Sequence, residues 1–344
     1  MSDRGWRHSI LEGIGTRIDI LAEIHPRPYL VFTAGIALLG YACLLLFPLL
    51  SLAGLAGIYR ALAASPGVAW QPLLAWLFAT VSCGWISYRV FRIRPCLPAG
   101  VVLARQQAPA LFQLMEATGA HYGSPVIDRI MITDAYQLDI VKTPLHVLPF
   151  GATRTLLIGL PLLQSLSGAR LQCALARRLG QFSGRANRLL NGLYALRSVW
   201  PAWRDAASGS DPACLPVRAL FSLYAPLYTT ISTAAARLDE LQADSYAMEL
   251  FSDEDVLDAV TTDSVHRLFL QESYWPAIRK LREQDAAIAT TAGARIATVL
   301  HAGLQSGTLP RWIEQAMTAE QQWDDPWPSL VRRIENIGHA QASM

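Results

Sequence analysis

Two polar positions lie four residues apart in the segment LARRLGQFSGRANR, which spans residues 175–188. Apolar residues recur around them at helical spacing, so the segment is predicted to form an amphipathic helix. The two positions, occupied by Arg177 and Gln181, share one helix face because they are i and i+4. If both were histidine they could hold a zinc ion, and a glutamate in place of Arg178 could act as the general base. Arginine stays protonated and has no lone pair for a metal, whereas glutamine offers a weak carbonyl oxygen. These three residues therefore do not form a tetrahedral zinc site.

The elements that must position this helix are predicted from hydrophobic periodicity. The segments VIDRIMITDA, YQLDIVKT and TRTLLIG are rich in β-branched residues and nearly alternate, which is typical of strands. After Ser167, a predicted N-cap, the chain is mostly helical to its end, with one helix expected over residues 217–251. A small sheet followed by many helices predicts a mostly helical α+β fold.

The composition indicates a membrane protein. Of the 344 residues, 52% are hydrophobic and only 16% are charged, against about 25% charged in an average soluble domain. The net charge of +2 and the scattered basic residues argue against a nucleic-acid partner. The five cysteines form no CxxC pair, so we expect neither a disulfide framework nor a thiolate zinc site.

Two stretches near the N-terminus are free of charge, residues 29–59 and 61–88. Each exceeds the roughly 20 apolar residues that a bilayer core requires, so they predict a two-helix transmembrane hairpin within residues 29–90. Residues 1–28 show helical spacing of isoleucines, and they could lie on the inner leaflet or pack on the main domain. The lipid bilayer is therefore an expected partner.

The arginine distribution predicts the orientation of this hairpin. Four arginines precede the first span and four follow the second, whereas Arg60 alone lies between them. Because positive residues stay inside, both ends are expected to be cytoplasmic, with residues 97–344 forming a cytoplasmic domain. The predicted location is thus a bacterial-type cytoplasmic membrane, with a multi-pass anchor.

The order of these features resembles the membrane-bound zinc metallopeptidases of the HtpX and CAAX-prenyl-protease type, which are gluzincins. That family places membrane spans before a small sheet, then an active-site helix reading roughly LAHELGHFSGRHNR, an ExxAD motif and a stretch like HPSLxxR. The counterparts here, in the same order, are TLLIGLPLLQSLS (155–167), LARRLGQFSGRANR (175–188), ELQAD (240–244) and PWPSLVRRIENIG (326–338). The resemblance covers nearly the whole chain and implies a gluzincin-like domain.

The resemblance also implies that the zinc site has been lost. Arg177, Arg178 and Gln181 occupy the positions of the first histidine, the glutamate and the second histidine, while Glu240 retains the position of the third ligand. We therefore expect neither a metal nor a cofactor. Zinc would be expected only if the family site were retained. The chain is interpreted as a degenerate metallopeptidase, and the loss of the zinc site favours a non-catalytic function over an enzymatic one.

Glu240 and Asp244 have two interpretations. They could be solvated acids on a helix surface. Alternatively, because the ExxAD helix lies against the active-site helix in the family, they could face Arg177, with Arg178 as a second candidate partner, as bidentate ion pairs in a buried pocket. The second interpretation predicts an ion-paired pocket where the family has zinc.

An edge strand before the active-site helix binds extended substrates in the family. The candidates here are TRTLLIG and the segment from Tyr136 to Lys142, with Tyr136, Gln137, Leu138, Asp139 and Ile140 as candidate peptide-binding residues. A non-catalytic relative could still hold a peptide there by β-augmentation.

Three functions follow from these features. The first is a membrane-anchored pseudoprotease that binds or scaffolds a peptide or membrane-protein partner, as a homo-oligomer or hetero-oligomer. The second is an active zinc metalloendopeptidase with atypical ligands. The third is a structural membrane subunit whose cleft is filled. An open groove beside Arg177 would favour the first function, and a groove filled by side chains would favour the third.

Overall fold

A computed structural model describes residues 3–64, 70–92, 99–144, 152–183, 188–206, 215–282, 287–305 and 307–342. The strands are β1 (Val101–Leu103), β2 (Arg129–Thr133), β3 (Leu138–Pro144) and β4 (Ala152–Gly159). The helices are α1 (Asp3–Ile24), α2 (Pro26–Ala64), α3 (Trp70–Arg92), α4 (Pro109–Tyr122), α5 (Leu160–Ser165), α6 (Gly168–Gln181), α7 (Arg188–Ala206), α8 (Leu215–Ile231), α9 (Thr233–Ala247), α10 (Asp253–Phe269), α11 (Trp275–Arg282), α12 (Ala287–Gly303), α13 (Leu309–Thr318) and α14 (Leu330–Ala342), with a π-helical turn over Leu270–Tyr274. The prediction of a mostly helical α+β fold is confirmed.

The chain divides into two compact units. The first comprises Met1–Cys96, Pro144–Ala152 and Gly192–Ser232, and the second comprises Leu97–Thr143, Thr153–Asn191 and Thr233–Met344. The segment Gly192–Ser232, which follows the predicted active-site helix, therefore belongs with the N-terminal helices.

The first unit is built around the long helix α2. Aromatic residues of α7 and α8 pack beside it, with Trp200 stacked on Phe221 at a centroid distance of 5.5 Å and Tyr41 meeting Trp200 edge-on at 4.9 Å. The Tyr224 hydroxyl donates to the Ile36 carbonyl at 2.6 Å, which ties α8 to α2. The N-terminal helix α1 contacts α2 and α8 within the same unit.

One helix in the described part of the chain is long and apolar enough to cross a membrane. It runs from Pro26 to Ala63, and its 38 residues would extend about 57 Å, well beyond a hydrocarbon core of about 30 Å. The predicted pair of spans is therefore corrected to one long apolar helix. The second predicted span falls in α3, a shorter helix that includes Gln71 and Arg89, and α3 packs along α2 with Ser51 donating to the Thr80 carbonyl.

The second unit contains a four-stranded sheet with the order β1-β2-β4-β3. Strand β1 pairs antiparallel with β2, and β2 pairs parallel with β4 in a register that places Ile130 opposite Leu156. Alternating residues of these strands are buried against α4 and α6, as expected for β-branched segments with one face in a core. Strand β3 therefore lies at an edge of the sheet.

Helices α6 and α9 pack closely in this unit. Ser167 caps α6 by accepting a hydrogen bond from the Arg170 backbone N–H, as predicted. At the other end of α6, a Cβ atom on Gly180 would overlap the side chain of Tyr246 on α9, so the close approach requires glycine. This contact brings the predicted active-site helix and the ExxAD helix together.

The single helix predicted over residues 217–251 is wrong, because α8 ends at Ile231 and α9 begins at Thr233. The Ser232 hydroxyl donates to the carbonyl of Tyr228, four residues earlier, at 2.7 Å. Serine and threonine hydroxyls that bond to this carbonyl bend helices, and Thr229 and Thr230 make the same type of bond. The run of hydroxyl residues accounts for the break.

Candidate functional site

The candidate site is a cluster of buried charged residues between α6 and α9. Helix α6 contributes Arg177, Arg178 and Gln181, and helix α9 contributes Glu240 and Asp244. Each of the five is at most 5% exposed, with Asp244 fully covered. Charged groups are almost never buried to this extent unless they are paired. The interpretation of Glu240 and Asp244 as solvated acids is therefore wrong.

The arginines and acids are joined by direct ion pairs. The Arg177 guanidinium donates through Nε to Asp244 Oδ1 at 2.6 Å and through Nη2 to Glu240 Oε2 at 3.0 Å. Arg178 donates through Nη1 to Glu240 Oε1 at 2.5 Å. The predicted contact of both acids with Arg177 is confirmed, and Arg178 contacts Glu240.

A further arginine closes the cluster from α14. Arg333 donates through Nε to Asp244 Oδ2 at 2.9 Å and through Nη2 to Asp244 Oδ1 at 2.8 Å, a bidentate pair. Arg333 is 2% exposed. Arg333 is the last residue of the segment that matches HPSLxxR, so the sequence motif includes it. The motif did not indicate that its partner is Asp244. Asp244 thus accepts bonds from two arginines at once.

A second pair extends the cluster onto α10. Arg267 donates through Nε to Asp263 Oδ2 at 3.0 Å, four residues earlier on the helix. The Arg267 guanidinium carbon lies 3.9 Å from the centroid of Trp327, and that of Arg178 lies 5.1 Å from it. Trp327 occupies the position where the family motif has histidine, and here it covers two guanidinium groups by cation–π contact.

The Gln181 side chain is used completely by its neighbours. Its amide oxygen accepts from Arg178 Nη1 at 2.8 Å, and its amide nitrogen donates to the Asp239 carbonyl at 3.2 Å. Asn191 donates to the Gln181 backbone carbonyl. The carbonyl oxygen that a metal would need is therefore already bonded to a cation.

The pKa values reflect the competition between burial and pairing. Burial alone would raise the pKa of Asp244, but Arg177 and Arg333 lower it by more, so it lies below its usual range. Burial lowers the pKa of Arg177, and the nearby positive charge of Arg333 lowers it further. Burial opposes ionisation of Asp263 as well, and Arg267 more than offsets it, so the pKa of Asp263 is also lowered. The arginines thus favour the ionised forms of Asp244 and Asp263.

These residues do not fit a zinc ion. Two arginine side chains fill the ligand and base positions, and both remaining acids already accept bonds from guanidinium groups. In the described part of the chain, no three histidine, cysteine, aspartate or glutamate residues are grouped where they could hold a metal. Four N, O or S ligands are what a tetrahedral zinc site requires.

The space beside Arg177 is nearly closed. The gap lined by Leu138, Arg177, Arg178 and Asp263 has a volume of about 20 Å³, enough for roughly one water molecule. A larger cavity of about 370 Å³ lies beyond Arg267 and Arg333. The space beside Arg177 and Arg178 is thus nearly filled by their side chains.

The candidate peptide-binding residues lie on and before β3. Leu138, Asp139 and Ile140 are in the strand, whereas Tyr136 and Gln137 precede it, which corrects the predicted strand start. The Gln137 carbonyl accepts from the Gly159 N–H at 2.7 Å. Since neighbouring residues of a strand point their backbone groups to opposite sides, Leu138 and Ile140 face away from β4.

Both outward positions already carry hydrogen bonds. Arg178 donates through Nε to the Leu138 carbonyl at 2.8 Å, and the Ile140 N–H donates to Asp139 Oδ1 at 2.8 Å. An incoming extended peptide would need the same two backbone groups. The edge is therefore capped by the side chains of Arg178 and Asp139.

Among the described residues, His121 and His266 belong to no group of three potential metal ligands. His266 bonds through Nδ1 to the Tyr136 hydroxyl at 3.0 Å, and burial lowers the pKa of His266 to about 4. His121 lies 3.9 Å from Glu249. His146 falls outside the described residues.

Comparison with protein-family models, with curated proteins and with solved structures finds no match to this chain.

Proposed function

We propose that this chain is a membrane-anchored, catalytically inactive relative of the HtpX and CAAX-prenyl-protease metallopeptidases, acting as a binding or scaffolding protein. The observation that carries the proposal is the buried set of ion pairs between Arg177, Arg178, Glu240 and Asp244. The arginines stand at the first-histidine and glutamate positions of the family helix, and they neutralise the acids that a zinc ion would otherwise neutralise.

The anchoring part of the proposal rests on α2, which is long and apolar enough to cross a membrane. We propose that α2 is a single membrane anchor and that residues 97–344 lie in the cytoplasm, because arginines cluster after the apolar region at residues 89, 92, 94 and 105. Cysteine accessibility to a membrane-impermeant reagent, measured at introduced positions on either side of α2, tests this orientation.

The absence of catalysis is tested by hydrolysis of fluorescein-labelled casein by the full chain in lipid nanodiscs, with zinc added and with a chelator. We expect no hydrolysis above buffer under either condition, because Arg178 stands at the position where the family has its general base. Zinc-dependent hydrolysis that disappears in Glu240→Gln would overturn the proposal.

A structural membrane subunit is the second candidate function, and two observations favour it. The space beside Arg177 is only about 20 Å³, and Arg178 and Asp139 cap the edge of β3. A peptide could bind this edge only if those side chains moved away. A structural subunit needs no such movement.

Binding of extended peptides to the β3 edge separates the two candidates. The assay measures fluorescence anisotropy of labelled valine-rich peptides with the full chain, using backbone N-methylated peptides as controls that cannot pair with a strand. Binding that requires unmethylated backbone supports a peptide scaffold at this edge. No binding by the natural chain, with binding gained in Arg178→Met, would support the structural subunit.

A further inference from the structure

The cavity of about 370 Å³ in the second unit has the size of a small-molecule site, since such sites usually range from about 300 to 1,000 Å³. It is bordered by α10, the π-helical turn, α13 and the segment leading into α14. Its lining includes Tyr136, Arg267, Trp275, Trp327 and Arg333. The cavity thus combines aromatic surface with two cationic side chains, and it lies outside the former zinc position.

The two arginines retain unused hydrogen-bond donors. Arg333 bonds to Asp244 through Nε and Nη2, and Arg267 bonds to Asp263 through Nε. Among the described residues, no acceptor pairs with Nη1 of Arg333 or with either terminal nitrogen of Arg267. A guanidinium has five N–H donors, and neither arginine is among the described side chains with a buried polar atom that lacks a partner, so the unused donors are open to the cavity. An acceptor from a ligand would satisfy them.

The lining carries two arginines and two carboxylates, so the placement of these groups, and not their sum, favours an anionic ligand over a cationic one. The two carboxylates in the lining are Glu320, which is exposed, and Asp325, whose Oδ1 accepts from the Trp327 backbone N–H at 2.9 Å. A cationic ligand would seek the aromatic faces, but Arg267 already lies over Trp327 at 3.9 Å and 5.8 Å from the Tyr136 centroid. An anion instead meets two guanidinium groups.

We propose that this cavity binds a carboxylate attached to a small apolar or aromatic body. The carboxylate would accept hydrogen bonds from Arg267 and Arg333, and the apolar body would lie against Trp275 and Leu270. Such a group could be the C-terminus of a peptide or a free organic acid, which share this chemistry. The inference does not depend on loss of catalysis, because the cavity lining includes none of Arg177, Arg178, Glu240 and Asp244, although Arg333 also pairs with Asp244.

The test is isothermal titration calorimetry of the full chain in lipid nanodiscs with 3-phenylpropionate and with its amide. With eleven non-hydrogen atoms, we expect 3-phenylpropionate to bind with a Kd of about 0.1–1 mM. The amide should bind at least about tenfold more weakly, because it lacks the charge that strengthens the arginine bonds. Equal binding of acid and amide, or no binding of either, would overturn the proposal.

Two peptides of sequence Ala-Ala-Ala-Phe, one with a free and one with an amidated C-terminus, distinguish the sources of the carboxylate. If the free-acid peptide binds at least as well as 3-phenylpropionate, the ligand is a peptide C-terminus. If only 3-phenylpropionate binds, the ligand is a free organic acid. Both results support a carboxylate site.

Variants locate the binding in the cavity. Arg267→Met should weaken 3-phenylpropionate binding at least about tenfold by removing donors. Because this variant also breaks the pair with Asp263, Ala319→Trp at the exposed rim provides a second test that leaves the charged groups intact. We expect a similar loss in Ala319→Trp and none in Ala110→Trp, a matched change on the exposed face of α4. Unchanged binding in Ala319→Trp would refute the location.

Discussion

Truncating Arg177 and Glu240 separately and together measures whether the buried cluster acts as one unit. In Arg177→Ala, Glu240 keeps Arg178 and Asp244 keeps the bidentate Arg333, so each acid loses one of its two cations. Breaking a buried pair usually costs about 3–5 kcal/mol, and the retained partners place each single change near 3 kcal/mol. The bond between Arg177 Nη2 and Glu240 Oε2 is then counted twice, so the double variant should cost about 4 kcal/mol rather than about 6.

Hydrogen exchange measured by mass spectrometry on peptides from α6 and α9 gives these opening free energies locally, which avoids treating a chain of two units as a two-state system. The control is the exposed pair Arg105–Glu116, which is joined by two hydrogen bonds at 2.7 and 2.6 Å, against one at 3.0 Å between Arg177 and Glu240. Its coupling should stay below about 1 kcal/mol because solvent screens it. Additivity within about 0.5 kcal/mol for Arg177 and Glu240, or coupling no larger than the control, would refute the reasoning.

Two further predictions concern packing and pH. Gly180→Ala should destabilise the second unit by about 1–3 kcal/mol, because the added methyl group would overlap the side chain of Tyr246. Gly168→Ala in the same helix is the control, because its methyl group would meet no atom within 4 Å and should change stability little. Urea unfolding of both variants measures the difference, and equal effects would contradict the prediction. The pKa of His266 is about 4 in the folded state and about 6.5 in the unfolded state. Between pH 6.5 and 4 the unfolded state therefore binds a proton at His266 that the folded state does not. The free energy of unfolding should consequently fall by about 3 kcal/mol as the pH drops from 6.5 to 4. Urea unfolding as a function of pH should show that slope flattened in His266→Gln, and an unchanged slope would refute the assignment.

The contact between α6 and α9 could be predicted from the sequence because the motif order carried it. LARRLGQ and ELQAD stand in the family order, and both place two polar side chains at helical spacing of four, Arg177 with Gln181 and Glu240 with Asp244. Arg333 and Trp327 could not be assigned in the same way, because α14 reaches the cluster across a long sequence separation. Asp263 and Arg267 did carry a local signal, a helical pair at i and i+4, but nothing in the sequence indicated that they were buried.

The errors have physical causes of a similar kind. Helical periodicity runs through Ser232 without interruption, whereas the break depends on hydroxyl groups bonding to preceding carbonyls. The strand pattern at residues 136–142 predicted an edge strand, and β3 does lie at the edge of the sheet. The capping of that edge by Arg178 depends on the tertiary approach of α6, which no local pattern records.

The bound zinc per chain tests the central claim most directly. The full chain is incubated with excess zinc, passed through gel filtration and measured by plasma mass spectrometry, alongside a Glu240→Gln variant. Since arginine cannot ligate a metal, we expect less than about 0.1 equivalents in both proteins. One equivalent of zinc in the natural chain that is lost in Glu240→Gln would contradict replacement of the metal by the buried arginines.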